Sequence, residues 1–252
     1  MAPRLDIVIP VYNEGRNILA TLAALREHVR TPSRILICYD LPDDDTLSTI
    51  EAHPECRERL TIEFVRNPSR GPHAAVLTGF AASRAPYVLV FPADDNFNGP
   101  IIDLMVVKAE QGADIVCADR FIPGGCMVGC PWLKSVLVRS AAFTLYHIAQ
   151  LPSRDATSGF RLFSRRVIDT IEIESSTGFC YSLEMLVKCH RMGWPVAEVP
   201  AKWFERNKGA SRFQVVNWMG AYLRWYMYAF ATTFLRLPAT SVKQRSALKA
   251  AK

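Results

Sequence analysis

Short apolar runs, each closed by acidic or polar residues and separated by stretches of helical periodicity, constrain this chain more than any other feature. Leu5-Asp6-Ile7-Val8-Ile9-Pro10 reads as a buried strand ending in Pro and a polar turn. Residues 17–28 follow with Ile18, Leu22 and Leu25 at the spacing of an amphipathic helix. The pattern then repeats, with strands expected over 34–39, 60–65, 87–91 and 114–118 and helices over 74–82 and 101–111. Such alternation predicts an α/β fold, a mostly parallel sheet with helices on both faces. Ligands of these sheets sit beyond the carboxyl ends of the strands. Here those ends carry Asn13-Glu14, Asp40 and Asp94-Asp95, which predicts a nucleotide-type site in the first half.

The second half is expected to hold an irregular, mobile loop over 121–131, a long apolar helix over 133–149, a helix over 178–190 carrying Glu184, and a late strand over 194–203. A chain of 252 residues can bury a substantial core. No internal repeat or low-complexity linker divides it, so one domain over 1–213 with an appendage over 214–252 is expected. Charge separates the same two parts. Residues 1–201 carry −3, whereas residues 202–252 hold ten Lys/Arg against the single Glu205. A basic tail on an acidic body points to an anionic surface as partner. No nucleic-acid-binding pattern accompanies the charge, so nucleic acid is not expected. The seven cysteines are scattered, and Cys126 and Cys130 lack a second Cys or His pair, which argues against a zinc site. Met1-Ala2-Pro3-Arg4 leads straight into the first strand, so a cytoplasmic location, at the membrane face, is expected.

Two segments concentrate chemistry. In Val8-Ile9-Pro10-Val11-Tyr12-Asn13-Glu14, a buried strand stops in residues suited to holding a base and ribose, with Pro10, Tyr12 and Glu14 the donor-binding candidates. Asp155-Ala156-Thr157-Ser158-Gly159-Phe160-Arg161-Leu162 sets a carboxylate, hydroxyls, a glycine and an arginine within seven residues. Together they resemble the family 2 glycosyltransferases, specifically the dolichyl-phosphate mannose synthase-like, polyprenyl-phosphate branch, from Leu5 to Phe213.

The resemblance implies a GT-A fold and inverting transfer of a hexose from a nucleoside diphosphate sugar to a polyprenyl phosphate. It also implies a divalent cation, Mg²⁺ or Mn²⁺. The family's Asp-x-Asp motif falls on Pro92-Ala93-Asp94, so its first acid is missing. Asp94 and Asn96 are the metal candidates, with Asp94 and Asp95 also at the donor; a plain solvated turn over 94–98 is the alternative. Asp40 matches an acid of the family's base-contacting turn, and Asp43 to Asp45 read as a cap on the next helix. His73 has two readings, a phosphate contact or a helix-start residue. For the acceptor, the resemblance implies Arg120, Lys134 and Arg139, then Arg206, Ser211 and Arg212 in the closing loop. A phosphate acceptor is already anionic and needs cations to orient it, not a strong base. Asp155, Arg120 and Arg161 are the catalytic candidates. Asp155 either orients an acceptor-binding arginine or, for a sugar or protein hydroxyl acceptor, serves as general base. A helix cap is the structural alternative. A non-catalytic nucleotide-sugar or lipid-binding relative is a third possibility that the losses at Tyr39 and Pro92 raise.

In the appendage, residues 214–235 contain one charge, Arg224. On a helical wheel Gln214, Asn217, Ala221, Arg224 and Tyr228 form a narrow polar stripe against an aromatic remainder. A central Arg opposes membrane spanning, and Trp and Tyr suit the interface. An interfacial helix followed by Arg236, Lys243, Arg245, Lys249 and Lys252 on an anionic leaflet is therefore expected. Packing within the protein, or in an oligomer contact, is the alternative.

Overall fold

The structure, a computed structural model, describes residues 2–205 and 215–245, with the backbone alone over 215–219. In chain order the elements are β1 (Leu5–Val11), α1 (Gly15–His28), β2 (Ser33–Tyr39), α2 (Asp45–Ala52), β3 (Thr61–Arg66), α3 (Pro72–Ala82), β4 (Tyr87–Val90) and α4 (Ile102–Glu110). There follow β5 (Ile115–Asp119), β6 (Cys126–Val128), α5 (Trp132–His147), β7 (Arg161–Ser164), α6 (Arg165–Thr170), α7 (Cys180–Arg191), β8 (Val196–Pro200), β9 (Lys202–Phe204) and α8 (Val215–Phe234).

Seven strands form the main sheet in the order β3-β2-β1-β4-β7-β5-β8. All pairings are parallel except those of β7, which runs antiparallel between β4 and β5. Side chains alternate across it with the period of two that strands impose. Ile7, Ile9, Leu89 and Val116 face α1 and α4, whereas Val8, Val88, Ile115 and Phe163 face α3, α6, α7 and α8. Gly79 lets α3 press onto β1, because a Cβ there would lie 2.4 Å from the Val8 side chain. At the amino ends of the strands, buried Asp6 accepts from Arg34 and from the Arg84 and Ala85 amides. The strand order reverses at β1, so the crevice beyond β1 and β4 is where such a sheet takes its ligand.

Three expectations need correction. The 121–131 segment is not irregular throughout: β6 pairs in parallel with β9 in a separate two-stranded sheet. Gly125 makes the tight return possible, since a Cβ would lie 2.5 Å from the Asp119 carbonyl oxygen. The single late strand over 194–203 is accordingly two, one in each sheet. β7 has no counterpart in the expected strands. Its first two residues close the Asp155–Leu162 motif, and a strand of which three residues are fully buried shows no alternation.

Helix α8 packs along α7, with Trp225 and Ala229 in the core. Of the expected polar stripe, Arg224 is exposed while Ala221 and Tyr228 are half-buried; the side chains of Gln214 and Asn217 lie outside those described. Arg224 pairs with Glu174 at 3.0 Å, while the Tyr228 ring lies under the Arg191 guanidinium at 3.3 Å. Leu223 and Met227 are exposed as well. Among the described residues, no helix is long and apolar enough to cross a membrane. After α8 the chain returns to the body: Val242 is buried, Gln244 bridges to Ile171, and Lys243 pairs with Glu172 at 3.0 Å.

Candidate active site

The first group of candidate residues lies in the loops after β1, β2 and β4. Asn13 holds a left-handed backbone, φ 52°, at the β1 turn, and its amide donates to both oxygens of Asp44 at 3.1 Å. Asp44 also caps α2 by accepting from the Thr46 amide, as the 43–45 run predicts. It is buried, however, and ties two loops together. The Glu14 amide donates to Thr46 Oγ1, and Glu14 accepts from Asn17 Nδ2 at 2.7 Å. Tyr12 stands exposed beside this turn, and Pro10 is half-buried at the end of β1.

Asp40, just past β2, accepts from Asn67 Nδ2 and from the Gly71 amide, both at 2.7 Å. It lines a cleft of about 480 Å³ with Leu41, Asn67, Arg66 and Arg70. Reading motifs alone missed the two arginines. His73 is buried at the start of α3 with its ring edge against Tyr181, and burial lowers its pKa.

At the end of β4, Asp94 is half-buried and Asn96 exposed. Asp95 is engaged otherwise. Its Oδ1 accepts from the Phe97 and Asn98 amides and its Oδ2 from Asn98 Nδ2. Asn98 in turn exchanges hydrogen bonds with the Lys202 backbone. Asp95 therefore braces the loop. Among the described residues no cluster of three His, Cys, Asp or Glu is placed to hold a metal. What remains is one carboxylate and one amide oxygen. That set fits an ion completed by substrate phosphates and water, as Mg²⁺ is commonly held.

The second group of candidate residues lies two strands away, at the end of β5. With adjacent strands about 4.8 Å apart, β4 and β5 are separated by about 10 Å across β7. Arg120 makes a bidentate fork with Asp155: Nε to Oδ2 at 2.5 Å and Nη2 to Oδ1 at 2.8 Å. Nη2 also donates to Thr157 Oγ1, and the Arg120 amide to Asp155 Oδ2. Asp155 Oδ1 further accepts from the Ser158 amide and Thr157 Oγ1. Burial alone would raise the Asp155 carboxyl, but the charge and hydrogen bonds of Arg120 outweigh it and hold it below the usual range. Among the described residues Arg120 Nη1 meets only the Met127 sulfur, at 3.8 Å. Arg120 and Arg139 both lie against the Phe121 ring, at 5.3 and 5.2 Å from its centroid. Lys134 stands near Glu205 at 3.7 Å and over Trp203.

Arg161 is elsewhere. It is fully buried and donates to the carbonyls of Asp155, Ala156 and Ser182. It shapes the loop carrying Asp155 and does not reach the cleft. Glu184 likewise acts inward, accepting from the Glu174 and Ser175 amides and from buried Lys188. Arg206, Ser211 and Arg212 lie outside the described residues.

The Glycosyl transferase family 2 profile matches residues 6–172, about two thirds of the chain. The chain belongs to this family. It is a glycosyltransferase with an α/β fold of the GT-A type. It is 26% identical over 217 residues to polyprenol monophosphomannose synthase of Mycolicibacterium smegmatis, covering 84% of this chain and 81% of that one. With undecaprenyl-phosphate mannosyltransferase of Micrococcus luteus it shares 27% identity over 214 residues, 83% of this chain and 87% of the relative. Among solved structures, it superposes with a TM-score of 0.66 and 16% identity on glucosyl-3-phosphoglycerate synthase from Mycobacterium tuberculosis in complex with Mn²⁺, UDP-glucose and phosphoglyceric acid. That match covers 100% of this chain and 92% of the other and speaks to the fold.

Proposed function

We propose that this glycosyltransferase moves a hexose, with inversion, from a nucleoside diphosphate sugar to a polyprenyl phosphate at a membrane surface. The observation that carries the reading is the state of Asp155. Both its oxygens are occupied by Arg120 and the 157–158 loop, it is buried, and its pKa is lowered. A general base needs a free lone pair facing the acceptor and a pKa near the working pH. Asp155 has neither. It suits a second task, holding Arg120 so that the remaining guanidinium edge meets an anion. A phosphate acceptor needs no deprotonation at that point. Its oxygen forms the new bond to the anomeric carbon as the bond to the leaving diphosphate breaks on the opposite face.

Arg120 and Arg139 bind and orient the acceptor phosphate, with Lys134 as a third cation; Arg206 and Arg212 are further candidates by sequence. Asp40, Tyr12 and Glu14 surround the base and ribose. A divalent cation held by Asp94 and Asn96, when bound, neutralises charge on the departing diphosphate. The two relatives named above are mannosyltransferases, which makes mannose the first hexose to test.

The membrane reading rests on α5. Trp132 is 77% exposed and Phe143 60%, with Leu133, Val136 and Leu137 also open, on the helix that brings Arg139 to Phe121. An apolar helix surface beside a phosphate-binding pair suits a lipid whose head group is a phosphate. Tyr226 Oη donates to Thr144 Oγ1 at 2.7 Å, which joins α8 to α5. The exposed Leu223, Met227, Phe234 and Leu235 extend the apolar surface. In this reading residues 1–213 form the transferase domain and 214–252 a docked appendage that helps it sit on the membrane.

The test is transfer of labelled mannose from GDP- and UDP-linked donors to undecaprenyl or dolichyl phosphate, with glucose donors as controls. Product should be acid-labile lipid-linked sugar with inverted configuration. Transfer only to a hydroxyl acceptor would refute the phosphate reading.

A further inference from the structure

Asp119 ends β5 immediately before Arg120 and is fully buried. Its Oδ1 accepts from the Phe121 amide at 2.6 Å, but Oδ2, equally buried, has no hydrogen-bond partner among the described residues. On β8, Glu198 pairs with Cys117, two residues before Asp119, so its carboxyl stands on the same face of the sheet as that of Asp119. Glu198 Oε1 itself accepts from the Arg154 amide, one residue before Asp155. Two carboxylates at adjoining positions of one sheet face, with Asp119 fully buried, resist carrying charge together, and neither ionised group can donate to the other. A proton on Asp119 Oδ2 resolves the conflict. It turns an orphaned acceptor into a donor to Glu198 and leaves the Glu198 charge on the Arg154 amide.

We propose that Asp119 and Glu198 share one proton and that this proton positions Arg120 and the Arg154-Asp155 backbone for the acceptor. Both are positioning residues, because neither touches the reacting atoms; the acceptor part rests on the function proposed above. The bridge runs from the strand that delivers Arg120 to the strand that anchors Arg154, so it closes a ring of contacts behind the Arg120–Asp155 fork.

The charged and titratable groups around Asp119 are Glu198 on β8, Asp155 in the loop before β7, Arg120 on its own strand, Arg154, and the Cys117 thiol. Arg120 is committed to Asp155, so the nearest cation does not neutralise Asp119. Burial, followed by Glu198, pushes the Asp119 carboxyl up to about 7, with the Asp155 charge adding to the effect. The bridge is therefore intact in mildly acidic solution and opens as pH rises through about 7. Two like charges then face each other beneath Arg120.

Two readouts on the full-length protein test this. Infrared difference spectra between pH 5.5 and 8.5 should contain a buried carboxylic-acid C=O band that disappears with a midpoint near 7. Asp119→Asn should lack the band, because its amide supplies a permanent donor to Glu198. In the second readout, the dissociation constant of farnesyl phosphate is measured by calorimetry across the same range. The phosphate's own titration affects both proteins alike, so the ratio of wild type to Asp119→Asn isolates the bridge. That ratio should rise by about tenfold from pH 6 to 8.5, the effect of weakening one charged hydrogen bond. An absent or non-titrating acid band, or a flat ratio, overturns the proposal. If farnesyl phosphate binds neither protein at any pH, the acceptor reading itself fails. The infrared band and the ¹⁵Nε–H resonance of Arg120, followed through pH 7, then decide whether the bridge exists and positions Arg120.

Discussion

At Asp155 two chemistries compete for one carboxylate, and its neighbours choose between them. Arg120→Lys keeps a charge but loses the planar fork. It should raise the acceptor KM roughly ten- to a hundredfold and leave nucleotide-sugar affinity unchanged, as steady-state kinetics and donor titrations will read. A loss confined to donor affinity would move Arg120 out of the acceptor site. Arg120→Ala is a poorer probe, because it strands a buried carboxylate at a cost of about 3–5 kcal/mol in stability. On the donor side, Asp94→Ala should abolish turnover and remove the enhancement of donor binding by Mg²⁺ or Mn²⁺ without lowering the melting temperature. Full activity in chelator, indifferent to that substitution, would show that no metal is held there. Asp95→Ala should behave differently and destabilise the 95–98 loop, since both Asp95 oxygens bind within it.

Helices α5 and α8 look alike in composition but sit differently. Of α5 only Ala142 and Leu145 are buried, so its apolar surface is available to a lipid. Trp132→Ser should therefore leave the melting temperature unchanged and weaken partition into anionic vesicles by roughly tenfold or more, the effect of removing one large aromatic from an apolar environment. Equal vesicle binding by both proteins would take the membrane away from α5. Helix α8 is a structural member. Its Trp225 is 1% exposed, Lys188 Nζ lies 4.9 Å from the Trp225 ring, and Arg224 neutralises Glu174 beside Lys188. Truncation at residue 213 should consequently lower the melting temperature sharply and yield poorly soluble protein, rather than a soluble, donor-binding core.

For the molecule as a whole, stability against pH follows from carboxylates of opposite behaviour. Asp6 and Asp155 are held below the ordinary 3.8: burial opposes the shift in each, and the arginine partners and backbone amides prevail. Their contribution is present above that value and is lost as pH falls through their folded pKa, so thermal stability should decline steeply below about pH 4. Asp119 runs the other way. Its folded pKa is raised, so its contribution is complete below 3.8 and disappears as pH climbs to about 7. Melting temperatures of wild type and Asp119→Asn should agree near pH 4, where both present a donor to Glu198, separate as pH climbs to about 7 with the wild type the less stable, and stay a constant distance apart above it. A pH-independent difference would mean that Asp119 is ionised throughout. The same map gives a physical order to the sheet: one arginine–aspartate pair closes its amino end at Arg34–Asp6, and a second organises the carboxyl end at Arg120–Asp155.

Local pattern determined much of this protein. The short apolar runs of β1, β2 and β4, with polar residues at the point where each strand stops and helical periodicity between them, were enough to predict a parallel sheet and to bring Tyr12, Asp40 and Asp94 to one edge. The Asp155–Leu162 motif led to the family. Sequence could not reveal that β7 runs antiparallel, because a four-residue, mostly buried strand has no periodicity to display. Nor could it distinguish Arg120 from Arg161, two arginines near one motif. Only packing sends the first to the cleft and the second to three backbone carbonyls. The 121–131 segment became a strand because β9, some 75 residues later, supplies its hydrogen bonds. Helix α8 was placed by the cations of α7, Lys188 and Arg191, whose partner rings are Trp225 and Tyr228. Asp119 is the sharpest case: in sequence it is one more acid at a strand end, and the tertiary fold alone sets Glu198 against it. A pKa depends on the charges and the dielectric around a group, and both are properties of the folded chain.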